Sequence, residues 1–196
     1  MLNRRARQGG MTLVEILVAI AIVAMVLALA GPSARTWIQN TQIRSGAESI
    51  LGGIKQARFE AIKRNTTVAF QLTDASSTAW RVCFYDVLNA ECDTTKADIA
   101  TGAAEGSQAA RVGVETAFSS YATPIDAGSN VPSLVAFDSF GRVAPSSPTN
   151  IARLEVRNPL LDAADERRLD ISVGITGQVV MCDPQLSKAT NPQGCQ

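Results

Sequence analysis

Cysteines are the most reactive side chains of this 196-residue chain, which contains four of them and no histidine. Without histidine the chain lacks the base of a Ser-His-Asp or Cys-His nucleophile and the commonest nitrogen ligand for zinc. No two cysteines have the C-x-x-C spacing of zinc sites and thiol redox motifs. The sequence also has no glycine-rich phosphate loop and no nucleophile elbow. It therefore predicts no enzymatic activity, no metal site and no cofactor.

The cysteines are better suited to disulfides, for which four residues allow three pairings. Short loops close most easily, and this favours the pairs Cys83–Cys92 and Cys182–Cys195. On the chain-entropy estimate, each bond would stabilise the fold by about 3 kcal/mol. Disulfides persist in oxidising compartments, so we expect this part of the chain to lie outside the cytoplasm.

Four carboxylates lie close together in segment 162–170, where two arginines interrupt them. They are Asp162, Asp165, Glu166 and Asp170. Such groups could serve as a general acid and base or bind calcium. The segment lacks the D-x-D-x-D-G order of a calcium loop, and the arginines favour a solvated turn. We therefore predict a solvated surface here rather than a site.

Glu15 is the only charged residue of segment 11–30, and residues 16–30 are apolar without interruption. About 20 mostly apolar residues can cross a bilayer as a helix, and the arginines before this segment favour a cytoplasmic N-terminus. A carboxylate in such a segment costs about 2.5–3.5 kcal/mol on insertion scales. Glu15 is therefore expected to have a partner and a function.

A secretory signal peptide is the alternative interpretation of the first thirty residues. The arginine-rich start, the apolar run and the small-x-small sequence Ala28-Leu29-Ala30 all fit one. Cleavage after Ala30 would release a periplasmic protein. The carboxylate of Glu15 favours an anchor that stays in the chain.

The sequence Gly10-Met11-Thr12-Leu13-Val14-Glu15, after a short basic leader, resembles the type IV prepilin signal. In that family a prepilin peptidase cuts after the glycine on the cytoplasmic side, and the new N-terminus is methylated. The resemblance implies that Gly10 and Met11 are the processing residues. Glu15 and Pro32 match the glutamate and proline of the mature family sequence, which implies a role in assembly.

The helical pattern continues beyond Pro32. Apolar residues recur every three or four residues along segment 43–61, which places them on one helix face. They are Ile43, Ala47, Ile50, Ile54, Ala57 and Ala61. This half is predicted to be amphipathic and to cover a sheet. We expect one helix from Met11 to about Arg64, with a kink at Pro32.

Three further segments resemble the GspH/FimT minor pilins and pseudopilins. Residues 56–68 are similar to the stretch that ends the long helix and enters the first strand. Residues 137–143 resemble the F-x-x-x-G turn, in which Gly141 is expected to supply the turn conformation. Residues 175–184 resemble the closing strand of the family.

Beyond residue 65 the pattern changes to short β-prone runs separated by turn residues. Strands are predicted over residues 67–73, 79–86, 111–117, 134–137, 151–157, 169–173 and 178–181, with loops over 89–106 and 121–132. A long helix on antiparallel strands is an α+β fold. The resemblance implies the lollipop shape of a type IV pilin, with four parts. These are a basic leader (1–10), a transmembrane or filament-core helix (11–32), its amphipathic half (33–65) and a periplasmic head (66–196).

A second resemblance offers another function, DNA capture in natural transformation. In DNA-binding competence pilins of the FimT type, the glycine matching Gly177 begins a G-R-x-R sequence whose arginines contact DNA. Here the residues are Gly177-Gln178-Val179-Val180, and a phosphate contact needs a cation. Removal of residues 1–10 would leave 15 basic and 18 acidic side chains, a mildly acidic balance. The sequence therefore does not favour nucleic acid as a partner.

The resemblance implies a structural subunit of a type IV pilus or of a type II secretion pseudopilus. The expected partners are prepilin peptidase and the other minor and major pilins of a helical filament, with a position near the filament tip. The expected location is the inner membrane, crossed once with a cytoplasmic N-terminus and a periplasmic head, and afterwards the filament.

Overall fold

The structure, a computed structural model, describes residues 11–104, 106–145 and 150–195, and for residues 28–33 the backbone only. The chain divides into two compact units, one ending at Trp37 and the other formed by Ile38–Gln196. One helix, α1 (Leu13–Arg64), contributes to both.

Helix α1 has recognisable signals at both ends. At its start, the backbone N–H of Glu15 donates to the Thr12 hydroxyl at 3.3 Å, and the glutamate adds negative charge to the positive end of the helix dipole. At its end, Asn65 has a φ of 50°, and the N–H of Thr66 reaches back to the Ala61 carbonyl at 3.2 Å. Within the described residues, no helix combines the length and the apolar character that membrane crossing requires.

Within the described residues, nine strands follow the helix. They are β1 (Val68–Leu72), β2 (Trp80–Asp86), β3 (Glu91–Cys92), β4 (Ala100–Gly102), β5 (Arg111–Glu115), β6 (Leu134–Phe137), β7 (Arg153–Arg157), β8 (Leu169–Val173) and β9 (Val179–Cys182). The first sheet has the order β3-β2-β1-β6, with β4 also paired to β2, and the second has the order β5-β7-β8-β9. All of these pairings are antiparallel, so the predicted α+β class is confirmed.

The head core lies where one face of α1 meets both sheets. The six apolar residues predicted to share that face, from Ile43 to Ala61, are all fully buried. They belong to one cluster with Phe70 and Phe137 of the first sheet and with Leu154 and Ile171 of the second. The amphipathic half of the helix is therefore the element to which both sheets attach.

The predicted loop over residues 89–106 is wrong in part, because β3 and β4 lie within it. Strand β3 has only two residues, and its Cys92 forms a disulfide with Cys83 of β2. Strand β4 pairs with Trp80–Val82 of β2. Two and three residues are too few to show alternation in a sequence, so only pairing with β2 reveals them. The second disulfide joins Cys182 to Cys195, so the structure has the two pairs that loop length favoured.

Two adjacent helical glycines give a matched test of the packing of α1. A methyl group added at Gly53 would lie 2.8 Å from the Trp80 ring, whereas one added at Gly52 meets nothing within 4 Å. We expect Gly53→Ala to destabilise the head by about 1–3 kcal/mol, because the buried ring must shift. Gly52→Ala should stabilise it by about 0.5–1 kcal/mol through helix propensity alone. Urea unfolding of the full chain in detergent, followed by circular dichroism, measures both, and equal effects would contradict the close contact.

Candidate functional site

The residues predicted for processing and assembly lie at the start of α1. Gly10 is outside the described residues, and Met11 is exposed just before the helix begins. Glu15 lies exposed in the first helical turn and has no ion pair within the described part of the chain. Pro32 falls inside α1, but its side chain is outside the described residues, so the expected kink stays a prediction.

The first four turns of α1 present an apolar surface on all sides. Each large apolar residue from Leu13 to Leu27 is at least 46% exposed. A helix that is hydrophobic all round needs an apolar environment, and its stability comes from the packing of that surface. This segment, which we call the stem, is therefore suited to lie among lipid chains or among other apolar helices.

A second candidate site forms where α1 meets two glycine turns. The Nε–H of Arg58 donates to the Gly141 carbonyl at 2.8 Å. Gly177 has a φ of 79°, and a side chain there would place its first carbon 1.9 Å from the same carbonyl oxygen. Only glycine can occupy this position, because backbone and guanidinium both approach it closely. Gly141, with a φ of 75°, supplies the turn conformation expected from the sequence.

These segments enclose an open groove of about 650 Å³. It is lined by Lys55, Arg58, Phe59, Ile62, Thr176, Gly177, Gln178 and Val179. Two lining residues are cations and none is acidic. Phe59, which is 61% exposed beside them, adds apolar surface to the groove. The groove, which we call the α1 groove, can receive an apolar side chain accompanied by negative charge.

A third site, which the sequence analysis missed, is a buried cluster of charges on the second sheet. Arg153 is fully buried and donates to Asp170 at 3.1 Å, to Glu155 at 3.1 Å and to Glu115 at 3.3 Å. It also donates to the carbonyls of Ser120 and Thr123. The guanidinium therefore fastens the loop after β5 to the outer face of the sheet.

The surrounding arginines complete this cluster. Arg157 donates to Glu166 at 3.1 Å, and Arg168 donates to Glu155 at 3.4 Å. The prediction of a solvated turn is wrong for Glu166 and Asp170, which are both buried. The missed signal is the sequence Arg-Leu-Glu-Val-Arg of β7, in which alternation places three charges on one face of the sheet and two apolar residues on the other.

Burial makes this cluster sensitive to protons. Three arginines face four carboxylates, those of Glu115, Glu155, Glu166 and Asp170. Burial raises the pKa of Asp170 to about 7 and also raises the pKa of Glu155. One oxygen of each of these two carboxylates lacks a hydrogen-bond partner within the described residues. The arrangement therefore favours one bound proton near neutral pH. That proton leaves three negative carboxylates facing three positive arginines.

The chemistry of the cluster is structural. No group of cysteine and acidic side chains in the described ranges could hold a metal ion. The carboxylates that come together are instead occupied by arginines. What the arrangement provides is attachment of the loop after β5 and a stability that depends on pH.

We expect the stability of the head to fall as pH rises from about 5 to about 7. The pKa of Asp170 is about 7 in the folded chain against a usual value of 3.8, so in this range only the native state keeps the proton. Asp170→Asn cannot titrate and should flatten the decline, while the exposed Asp162→Asn should leave it unchanged. Urea midpoints measured across this range test both variants, and an unchanged slope in Asp170→Asn would contradict the assignment.

Comparison with known proteins adds the family context. Residues 46–177 match the family described as type II transport protein GspH, and residues 5–31 match the prokaryotic N-terminal methylation motif. The crystal structure of the type IV minor pilin FimU of Pseudomonas aeruginosa aligns with 79% of this chain and 95% of that chain, at 17% sequence identity and a TM-score of 0.42. No curated protein matches the chain.

Proposed function

Because the chain belongs to the family of the type II transport protein GspH, we propose that its stem is held in the inner membrane and then packed into the core of a helical filament. The chain is a minor pilin or pseudopilin, a structural subunit of a type IV pilus or a type II secretion pseudopilus. The observation that carries the proposal is the stem surface, which is apolar on all sides and contains one carboxylate. Such a surface is stable only where water is excluded.

Processing creates the free end of the stem. The methylation motif covers residues 5–31 and includes the junction between Gly10 and Met11. We propose that prepilin peptidase cuts this bond and that Met11 becomes the methylated N-terminus. The resulting chain begins with an amine two residues before the first helical residue.

The amine and Glu15 are complementary. A carboxylate surrounded by apolar helices is costly unless a cation pairs with it. The amine of Met11 of a neighbouring subunit is the cation that filament packing would place in the same apolar layer. The pair would neutralise both charges and set the register of one stem against the next.

The four parts expected from the sequence then have separate tasks. Residues 1–10 are removed, residues 11–32 anchor the chain and later form filament core, and residues 33–65 carry the head. Residues 66–196 form the disulfide-bonded head outside the cytoplasmic membrane. We place the subunit near the filament tip with other minor subunits, as the family resemblance implies.

The first test concerns the N-terminus. Intact-mass measurement of the mature protein should give residues 11–196 with one methyl group and two disulfides. A chain that begins at Gly31 would show instead a secreted protein released after Ala30, and it would overturn the proposal.

The second test concerns Glu15. We expect Glu15→Gln to be cleaved and methylated normally but to enter filaments about tenfold less or worse, since removal of one partner of a buried ion pair costs several kcal/mol. Subunit content of sheared filaments measures incorporation, and intact mass measures processing. The apolar substitution Val14→Ala, which leaves the charge in place, is the matched control. Normal incorporation of Glu15→Gln would remove the proposed ion pair.

A further inference from the structure

We propose that Arg35 and Trp37 lie in the phospholipid headgroup layer at the outer face of the inner membrane and fix the depth of the stem before filament assembly. The inference rests on the proposed function, because it assumes that the stem is held in that membrane. We call Arg35 and Trp37 the outer anchor. Both residues lie in α1 and belong to the first compact unit, which ends at Trp37.

The outer anchor has the side chains that suit a membrane surface. Trp37 is 69% exposed, and an indole combines a large apolar ring with one N–H donor, which favours the boundary between hydrocarbon and headgroups. Arg35 is exposed and forms no ion pair within the described residues. Its guanidinium can donate bidentately to the oxygens of a lipid phosphate. The two side chains can therefore bind both the apolar and the anionic part of the layer.

The position of the outer anchor along α1 matches the thickness of a bilayer. Residues 16–34 contain no charged side chain, and this segment is bounded by Glu15 on one side and by Arg35 on the other. From Glu15 to Arg35 the helix rises by about 30 Å. The hydrocarbon core of a bilayer is also about 30 Å thick. Both charges can therefore reach headgroups at the same time, one at each face of the membrane.

The two charges oppose movement of the stem in opposite directions. Movement toward the cytoplasm would draw Arg35 into hydrocarbon, and movement outward would draw Glu15 into it. Either charge is costly there. Trp37 adds a preference for the boundary itself, where aromatic rings of membrane helices are enriched. One depth of the stem therefore satisfies all three residues.

This depth gives Glu15 a different environment before and after assembly. In the membrane its carboxylate lies at the cytoplasmic face, where water and headgroups solvate it. It enters an apolar layer only when the stem moves outward into the filament, where the Met11 amine of a neighbouring subunit is its proposed partner. The outer anchor leaves the headgroup layer in the same movement. It therefore holds the subunit in the membrane until assembly moves it.

The depth of the outer anchor can be measured by fluorescence, because the chain contains two tryptophans in different environments. Trp37 is exposed on α1, whereas Trp80 of β2 is buried in the head core. The mature full chain is placed in vesicles of phosphatidylethanolamine and phosphatidylglycerol. One lipid carries bromine on its acyl chains, either near the glycerol end (shallow) or near the bilayer centre (deep). Bromine quenches the fluorescence of a tryptophan that it contacts.

We expect shallow bromine to quench Trp37 about twofold more than deep bromine, because the ring is held at the boundary. The Trp37→Phe chain keeps only the buried Trp80, so it gives the background and should show little quenching with either lipid. Equal quenching of the native and the Trp37→Phe chains would mean that Trp37 lies in water. Stronger quenching by deep bromine would mean that it lies in hydrocarbon, and either result would overturn the outer anchor.

The contribution of Arg35 is tested by matched substitutions in the same vesicles. Arg35→Leu removes the charge that opposes movement toward the cytoplasm, so the ratio of deep to shallow quenching of Trp37 should rise about twofold. Arg35→Lys keeps the charge and should leave the ratio unchanged. Lys55→Leu removes another exposed cation of α1 and should also leave it unchanged. A ratio that Arg35→Leu does not move, or that Lys55→Leu moves equally, would overturn the role of Arg35.

The outcome separates the outer anchor from the proposed function, which intact mass and filament content measure independently. If the chain is methylated at Met11 and enters filaments but neither brominated lipid quenches Trp37, the outer anchor is wrong and the filament role stands. If shallow bromine quenches Trp37 but the chain never enters filaments, the filament role is wrong and the outer anchor stands.

Discussion

Burial of one face of α1 between two sheets is the interaction on which the head depends. The six residues of that face lose all contact with water, and large apolar side chains of both sheets pack against them. At about 25 cal/mol per Å² of apolar surface, such a core outweighs any single polar contact in the molecule. Neither sheet has another apolar layer of this extent within the described residues. The positions of the glycine turns, the groove and the charge cluster follow from this arrangement.

The two halves of α1 have different surfaces. Beyond residue 43 its apolar residues occupy one face, and the chain itself covers them. From Leu13 to Leu27 they occupy every face, and the described chain covers none of the large ones. The exposed apolar residues of the stem need lipid or other subunits to cover them, whereas the apolar face beyond residue 43 is covered by the sheets. Family membership and the methylation motif agree with this dependence.

The second sheet shows how a charged surface can be as buried as a core. Leu154 and Val156 face the helix. Arg153 and Glu155, which alternate with them along β7, face outward beneath the loop after β5. Burial of unpaired charges would be prohibitive, so the arginines and carboxylates occur together. Burial is what raises the pKa of Asp170 and of Glu155, even though arginines lie beside both carboxylates. Stability of the head is thereby linked to pH through a buried carboxylate of the second sheet.

The sequence by itself determined the features that repeat at short range. Spacing of three and four residues identified the buried face of α1, runs of β-prone residues identified seven of the nine strands, and loop length favoured the two disulfides that are present. The prepilin-like signal agrees with the N-terminal methylation motif that is matched over residues 5–31. Tertiary structure alone decided the two short strands, the α1 groove and the charge cluster. The physical reason is that each of these joins residues far apart in the chain, such as Arg58 with Gly141 or Arg153 with Asp170, and a carboxylate looks the same in a sequence whether water or a guanidinium surrounds it.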